Sequence, residues 1–155
     1  MPACDQLPSP PKVSTGKPIH LIAIHAADRR VHLTSPEIVR VLRVAWRASA
    51  TASGWVVGRY VIMPDHVHFF ARPHPGGDLA GTFIRTWKKW TACLLTRFVQ
   101  VEPPIWQPGF IDQPLDTADV YQEWLEYIRA NPVRAGHAPS VQAWPFAGEV
   151  EPIGF

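Results

Sequence analysis

The sequence predicts an α+β fold of the ferredoxin-like kind, one antiparallel sheet with helices packed against it. Three observations predict it. Hydrophobic patterning reads in the order strand, helix, strand, strand, helix, strand, helix. The second and third strands flank a tight Pro64-Asp65 turn and so form a hairpin. With 155 residues, 46% of them hydrophobic and 18% charged, the chain can build one domain around a sizeable core.

His20 to Ala26 is a short apolar run suited to a buried strand, and the polar residues from Asp28 to Ser35 turn the chain. Ser35, Pro36 and Glu37 make a helix start, with Ser as N-cap and Pro at the first helical position. Ile38, Val41, Leu42, Ala45 and Trp46 follow at helical spacing, so a helix is expected to about Ala50, with Gly54 ending the connection. Trp55 to Met63 is β-branched and aromatic and reads as a strand; His66 to Arg72 is its hairpin partner. Pro73 to Asp78 is a loop. Leu79 to about Gln100 reads as a helix with Leu79, Phe83, Trp87, Trp90 and Leu94 on one side, broken by Glu102 to Pro104. Ile105 to Leu115 is expected to be an irregular strand interrupted near Pro108-Gly109. Asp116 and Thr117 can cap a helix from about Ala118 to Asn131, where Asp119 suits the positive N-terminal dipole and Pro132 ends the run. The remainder, rich in proline, is expected to wrap the surface. The organisation expected is a disordered tail over residues 1–17, a single domain over 18–150 and a short C-terminal tail over 151–155.

Composition narrows the function classes. Cys4 and Cys93 lie in unlike contexts and form no disulfide framework, so a reducing cytoplasm is the simplest compartment. The first residues contain no apolar stretch of a signal peptide, and no run approaches a membrane span, so a soluble protein with no membrane partner is expected. The net charge of +2 decides nothing, but its distribution is uneven. Arg85, Lys88, Lys89 and Arg97 lie in a stretch without acids, which fits phosphate binding or simply a solvated helix face.

Two constellations carry candidate chemistry. Side chains in a strand alternate, so His66 and His68 share one face while Val67 points away. Two imidazoles so placed can share a metal ion, or can be two histidines on a solvated face. His20 and His25, five apart in a strand, fall on opposite faces and make poorer candidates. Tyr127 and Asn131 stand four apart and therefore stack on a helix, at the border of an apolar face made by Val120, Tyr121, Trp124, Leu125 and Ile128. Asn131 offers an amide oxygen to a hard divalent ion. Tyr127 alone reads equally as an aromatic at the core edge. Glu123, one turn earlier, fits a ligand, a base or a solvated acid.

Together these residues carry a resemblance. Tyr60-Val61-Ile62-Met63-Pro64-Asp65-His66-Val67-His68 resembles the signature of the single-tyrosine HUH transposases. Trp106-Gln107-Pro108-Gly109-Phe110-Ile111-Asp112 resembles their next block, Tyr127 to Gly136 the third, and Ala143-Trp144-Pro145 the usual end. The match is nearest to the transposases associated with repetitive extragenic palindromes and spans roughly His20 to Phe146. Ile111, Gln113 and His137-Ala138 depart from the pattern. The resemblance implies that His66 and His68 pair on a metal, that Asn131 completes the site, and that Tyr127 is the nucleophile. It implies the HUH sheet-and-helix fold and action, as a monomer rather than a homodimer, on single-stranded DNA beside hairpins.

The chemistry expected is a metal-dependent cut of single-stranded DNA through a 5′-phosphotyrosine, with either magnesium or manganese as the ion. Arg85, Lys88, Lys89 and Arg97 would hold phosphates. Trp90 could stack on bases, as could Trp87, although its helical spacing favours the core. The alternative is a catalytically inactive DNA hairpin-binding protein. A hydrolase using water as nucleophile is a further one.

Overall fold

Alternating apolar residues and strong local caps build the elements in turn. The computed structural model describes residues 17–28 and 30–155. Its elements are β1 (Ile19–His25), α1 (Pro36–Ala52), β2 (Trp55–Ile62), β3 (His66–Pro73), α2 (Ala80–Leu94), β4 (Ile111–Leu115), α3 (Ala118–Arg129), α4 (Asn131–Arg134) and β5 (Ala147–Glu149). The strands form one sheet in the order β4-β1-β3-β2-β5, with every pairing antiparallel. The first six elements run β-α-β-β-α-β with β4-β1-β3-β2 side by side, which is the ferredoxin-like arrangement the patterning predicts.

Caps explain the helix starts. The Ser35 side chain accepts from the Ile38 N–H at 3.2 Å with Pro36 in the first turn, and Thr117 does the same for Val120 at 3.2 Å. Each such cap contributes about 0.5–2 kcal/mol. The Pro64-Asp65 turn closes the β2–β3 hairpin through Met63 N–H to the His66 carbonyl at 2.8 Å. Its own carbonyls are held as well: Asp65 O accepts from Ala26 N–H at 2.8 Å and Pro64 O from Leu33 N–H at 2.9 Å.

The sheet divides two cores. On one face Ile22, Ile24, Ile62, Val67 and Phe69 pack under α1 and α2 with Leu42, Trp46, Phe83 and Trp87. On the other, Leu21, Val61 and Phe70 pack under α3 with Tyr121, Trp124, Leu125 and Ile128. The strand alternation of β3 thus sends Val67 and Phe69 to the first face and Phe70 to the second.

Several expectations need correction. The final segment is not only a surface wrap: Ala147–Glu149 adds β5 to the outer edge of β2. Trp144 Nε1 also donates to the Ile62 carbonyl at 3.0 Å. Beyond it, Glu151 N–H bonds the Val57 carbonyl at 3.0 Å and the Phe155 ring reaches Tyr121. The second helix is α-helical only to Leu94 and continues through a π-helical turn, Leu95–Val99, to Gln100 at φ 62°. Its buried stripe is Phe83, Ile84, Trp87, Thr91 and Leu95. Leu79 lies outside the stripe, 80% exposed, and Trp90 and Leu94 are half-buried. Trp87 is core: it stacks on Trp46 with ring centroids 5.5 Å apart and presents no face to a base. α3 stops at Arg129 rather than Asn131, and the chain resumes a helical turn, α4, with Pro132 in its first turn, where a missing N–H costs nothing. The tail expected over residues 1–17 lies, except for Lys17, outside the described residues.

Candidate active site

His66 and His68 stand on β3 beside Phe70 and share its face, so both imidazoles look toward α3. Both are buried, at 4% and 2% exposure, and their rings meet edge to face with centroids 4.8 Å apart. From the opposite side come Tyr127 on α3 and Asn131, the first residue of α4. The helix break at Ala130 keeps these two within a turn of each other. Asn131 is buried and its amide lies 3.4 Å from His66 Nε2.

The orientation of the His66 ring follows from its other neighbour. Its Nδ1 lies 2.7 Å from a carboxylate oxygen of Asp65, so Nδ1–H donates to that anion and Nε2 faces the Asn131 amide. Burial alone would raise the Asp65 carboxyl, but the hydrogen bond and charge of His66 outweigh it and hold the group below its usual range. His68 is held neutral. Burial, then the charges of His66, His25 and Arg134, push its pKa down to about 3. Both His68 ring nitrogens and the Tyr127 hydroxyl are buried without a hydrogen-bond partner among the described residues, as are Trp46 Nε1, Arg72 Nε and Trp87 Nε1 elsewhere in the fold. A buried imidazole with neither nitrogen bonded has both its ring atoms available to a ligand.

These donors fit a divalent metal ion. Two neutral imidazoles supply nitrogen, and rotation of the Asn131 amide turns its oxygen toward the same space. Among the described residues no three His, Cys, Asp or Glu side chains are placed to hold a metal ion, and Asn131 is the further side chain with an oxygen beside the histidine pair. Two imidazoles and one amide leave open positions for phosphate oxygen and water, a set that suits manganese or magnesium.

Two neighbours were missed by sequence reasoning. His25 lies opposite His66 in the β1–β3 register and stacks on it, centroids 5.0 Å apart and planes 20° off parallel. Its separation from His20 is correctly an opposite-face spacing, since His20 turns to Trp55 and Asp112 on the other side. The sequence carried no signal of which face was which until the register was known. Burial and then the charge of His66 lower the His25 pKa. Arg134 on α4 places its guanidinium carbon 3.8 Å from the centroid of the Tyr127 ring.

The basic residues lie apart from this cluster. Arg85, Lys89 and Arg97 are exposed on α2 and its π-helical extension, across the sheet from His66 and His68. Lys88 is half-buried and donates to the carbonyls of Gln107, at 2.8 Å, and Gly109, and burial lowers its pKa. That loop is pinned in turn to β1, Gln107 N–H bonding the His25 carbonyl at 2.9 Å. Glu123 is exposed and without a partner among the described residues.

A family profile described as "Transposase IS200 like" matches residues 15–131, three quarters of the chain, and takes in His66, His68, Tyr127 and Asn131. The chain belongs to the IS200-like transposase family. Among curated proteins it is similar to the REP-associated tyrosine transposase of Escherichia coli (strain K12), 29% identical over 93 residues. That match covers 59% of this chain and spans about half, 52%, of the relative. Among solved structures, a REP-associated tyrosine transposase bound to a REP hairpin superposes with a TM-score of 0.71 at 23% identity, over 91% of this chain and 82% of the other. A candidate transposase from Deinococcus radiodurans R1 superposes with a TM-score of 0.56 at 18% identity, over 84% and 98%. At these identities the two structures establish the fold of this IS200-like chain. No helix among the described residues is long and apolar enough to cross a membrane.

Proposed function

We propose that this IS200-like transposase cuts and rejoins single-stranded DNA beside hairpins, with Tyr127 as nucleophile and a divalent ion, Mg²⁺ or Mn²⁺, held by His66, His68 and Asn131. The observation that carries the reading is the buried pair His66 and His68, edge to face on β3, with the Asn131 amide 3.4 Å from His66 Nε2 and both His68 nitrogens without a partner among the described residues. The hairpin-bound relative named above supports the choice of substrate.

A bound divalent ion would supply positive charge that makes the scissile phosphate more electrophilic and offsets charge in the transition state. The protein's own groups do the rest. Tyr127 brings one oxygen to phosphorus from a fixed helix, which removes most of the entropic cost of a bimolecular encounter. A new O–P bond forms to Tyr127, the bond from phosphorus to the 3′ oxygen breaks, the phenol proton passes to solvent, and the 3′ oxygen takes up a proton. The phosphodiester count is conserved, so a later 3′-OH reverses the step and rejoins strands without ATP. Asp65 fixes the ring of His66 through Nδ1, and the neutral ring of His68 keeps a lone pair available at neutral pH. Arg85, Lys88, Lys89 and Arg97 are read as phosphate contacts, Lys88 also bracing the 107–109 loop. The acting unit is read as a monomer in the cytoplasm.

An adduct assay tests this. Single-stranded hairpin oligonucleotides are incubated with the protein and Mn²⁺ or Mg²⁺, then resolved on a denaturing gel beside Tyr127→Phe. A metal-dependent covalent adduct absent from the variant is expected. Cleaved DNA free of protein would make water the nucleophile, and hairpin binding with neither cut nor adduct would reduce the protein to a hairpin-binding module.

A further inference from the structure

We propose that Arg134 is the positioning residue for the nucleophile: its guanidinium lies across the Tyr127 ring, fixes the direction of the phenol oxygen, and offers its free N–H edges to the phosphate under attack. The inference rests on Tyr127 being the nucleophile.

The geometry is specific. A distance of 3.8 Å from the guanidinium carbon to the ring centroid is van der Waals contact. An N–H pointing end-on at the ring would hold that carbon farther out, so the planar group lies face to face with the phenol. Its five N–H donors are in the guanidinium plane, and stacking uses none of them. Arg134 is exposed, and among the described residues its side chain makes no ion pair or hydrogen bond. A cation without a carboxylate partner among the described residues, stacked on the candidate nucleophile, is placed for a phosphate.

The local sequence explains the placement. Asn131 and Arg134 are three apart on α4, so one short helix delivers both to the same site. The C-terminal carbonyls of α3 and α4 are satisfied by Ala130, Ala135 and Gly136, which fixes α4 against α3. Tyr127 packs at the edge of the second core, but among the described residues its hydroxyl has no partner and its aromatic contact is Trp124, edge to face at 5.8 Å. Removal of Arg134 would free the ring to turn about its side-chain bonds, away from the line of attack.

The test compares Arg134→Ala and Arg134→Lys with the full-length protein, using hairpin oligonucleotides and Mn²⁺. Single-turnover adduct formation is measured at saturating DNA, and binding separately. Arg134→Ala is expected to slow the saturated rate about 10²-fold, the scale of a misplaced reactive group. Arg134→Lys, which keeps charge without the flat face, is expected to recover only part of that loss. The second readout needs no activity. The chain has three tyrosines, so carbon-labelled tyrosine rings give three resolvable NMR signals. Arg134→Ala should shift the Tyr127 signal and leave Tyr60 and Tyr121 in place, which also reports that the fold is intact. An undiminished rate in Arg134→Ala overturns the proposal alone. So does a loss confined to DNA affinity with the Tyr127 signal unmoved, or full rescue by lysine. A wild type that forms no adduct dependent on Tyr127 overturns the nucleophile reading, and this one with it.

Discussion

Removing the carboxylate of Asp65 tests the metal reading at a residue that would not itself touch the ion. Asp65 accepts from His66 Nδ1 at 2.7 Å, at the short end of charge-assisted N–H···O bonds. That bond selects the tautomer in which Nε2 is free and raises the basicity of that nitrogen. Loss of such a partner typically lowers metal affinity 10–100-fold. The Asp65 side chain is 73% exposed against 5% for His66, so water screens its charge and can replace its oxygen. The lower end applies: Asp65→Ala should weaken Mn²⁺ binding about tenfold, or about 1.4 kcal/mol. Asp65→Asn keeps an acceptor without the charge and should fall between. Calorimetric titration with MnCl₂ at pH 8 measures both, with thermal unfolding of the metal-free proteins as a control. The turn should survive, because its carbonyls are held by Ala26 and Leu33 and not by the carboxylate. Unchanged Mn²⁺ affinity in Asp65→Ala would refute the orienting role. A wild type that takes up no Mn²⁺ would refute the metal site.

Two further predictions concern charge. His68 has a folded pKa of about 3 against an ordinary 6.5, so below pH 6.5 the unfolded chain binds the extra proton and stability falls with pH until about 3. In EDTA, urea midpoints at pH 7 and pH 4 should reveal that His68→Gln loses about 3 kcal/mol less than wild type over that interval; equal losses would rule His68 out as the cause. Charge reversal at Lys89 and Arg97, both exposed, should weaken hairpin binding and flatten its dependence on salt, each lost phosphate contact reducing the logarithmic slope by about 0.7–0.9. An unaltered slope would remove α2 from the DNA surface.

Much of the fold was legible because local physics agreed with it. Ser35 and Thr117 cap where their spacing says, the Pro64-Asp65 turn closes, and the β3 alternation puts His66 and His68 together. The face of α3 is also as read, with Tyr121, Trp124, Leu125 and Ile128 buried and Tyr127 at the border. What escaped depends on contacts remote in sequence. β5 is three residues, Ala-Gly-Glu, with no β-branched or alternating pattern, and exists because the edge of β2 is open to it. His25 belongs to the site only through the register that sets it against His66. The buried stripe of α2 steps by four through Phe83, Trp87, Thr91 and Leu95, and because one member is a threonine, counting apolar residues alone moved the stripe to Trp90 and Leu94. Arg134 is hidden by the helix break at Ala130, which interrupts the periodicity on which its alignment with Tyr127 would be recognised.

The sheet stands as a partition between α2 and the Tyr127 cluster. If one DNA molecule serves both, its backbone must round the margin of the protein, and the natural crossing is the loop from Trp106 to Gly109, tethered to α2 by Lys88 and to β1 by Gln107. The phosphates gripped by α2 and the phosphate that is cut then cannot be neighbours. They are separated by a whole number of nucleotides that the thickness of the domain imposes, about 10 Å for each packed layer. The protein would act as a ruler, and lengthening this loop would displace the cut along the strand without altering the chemistry that makes it.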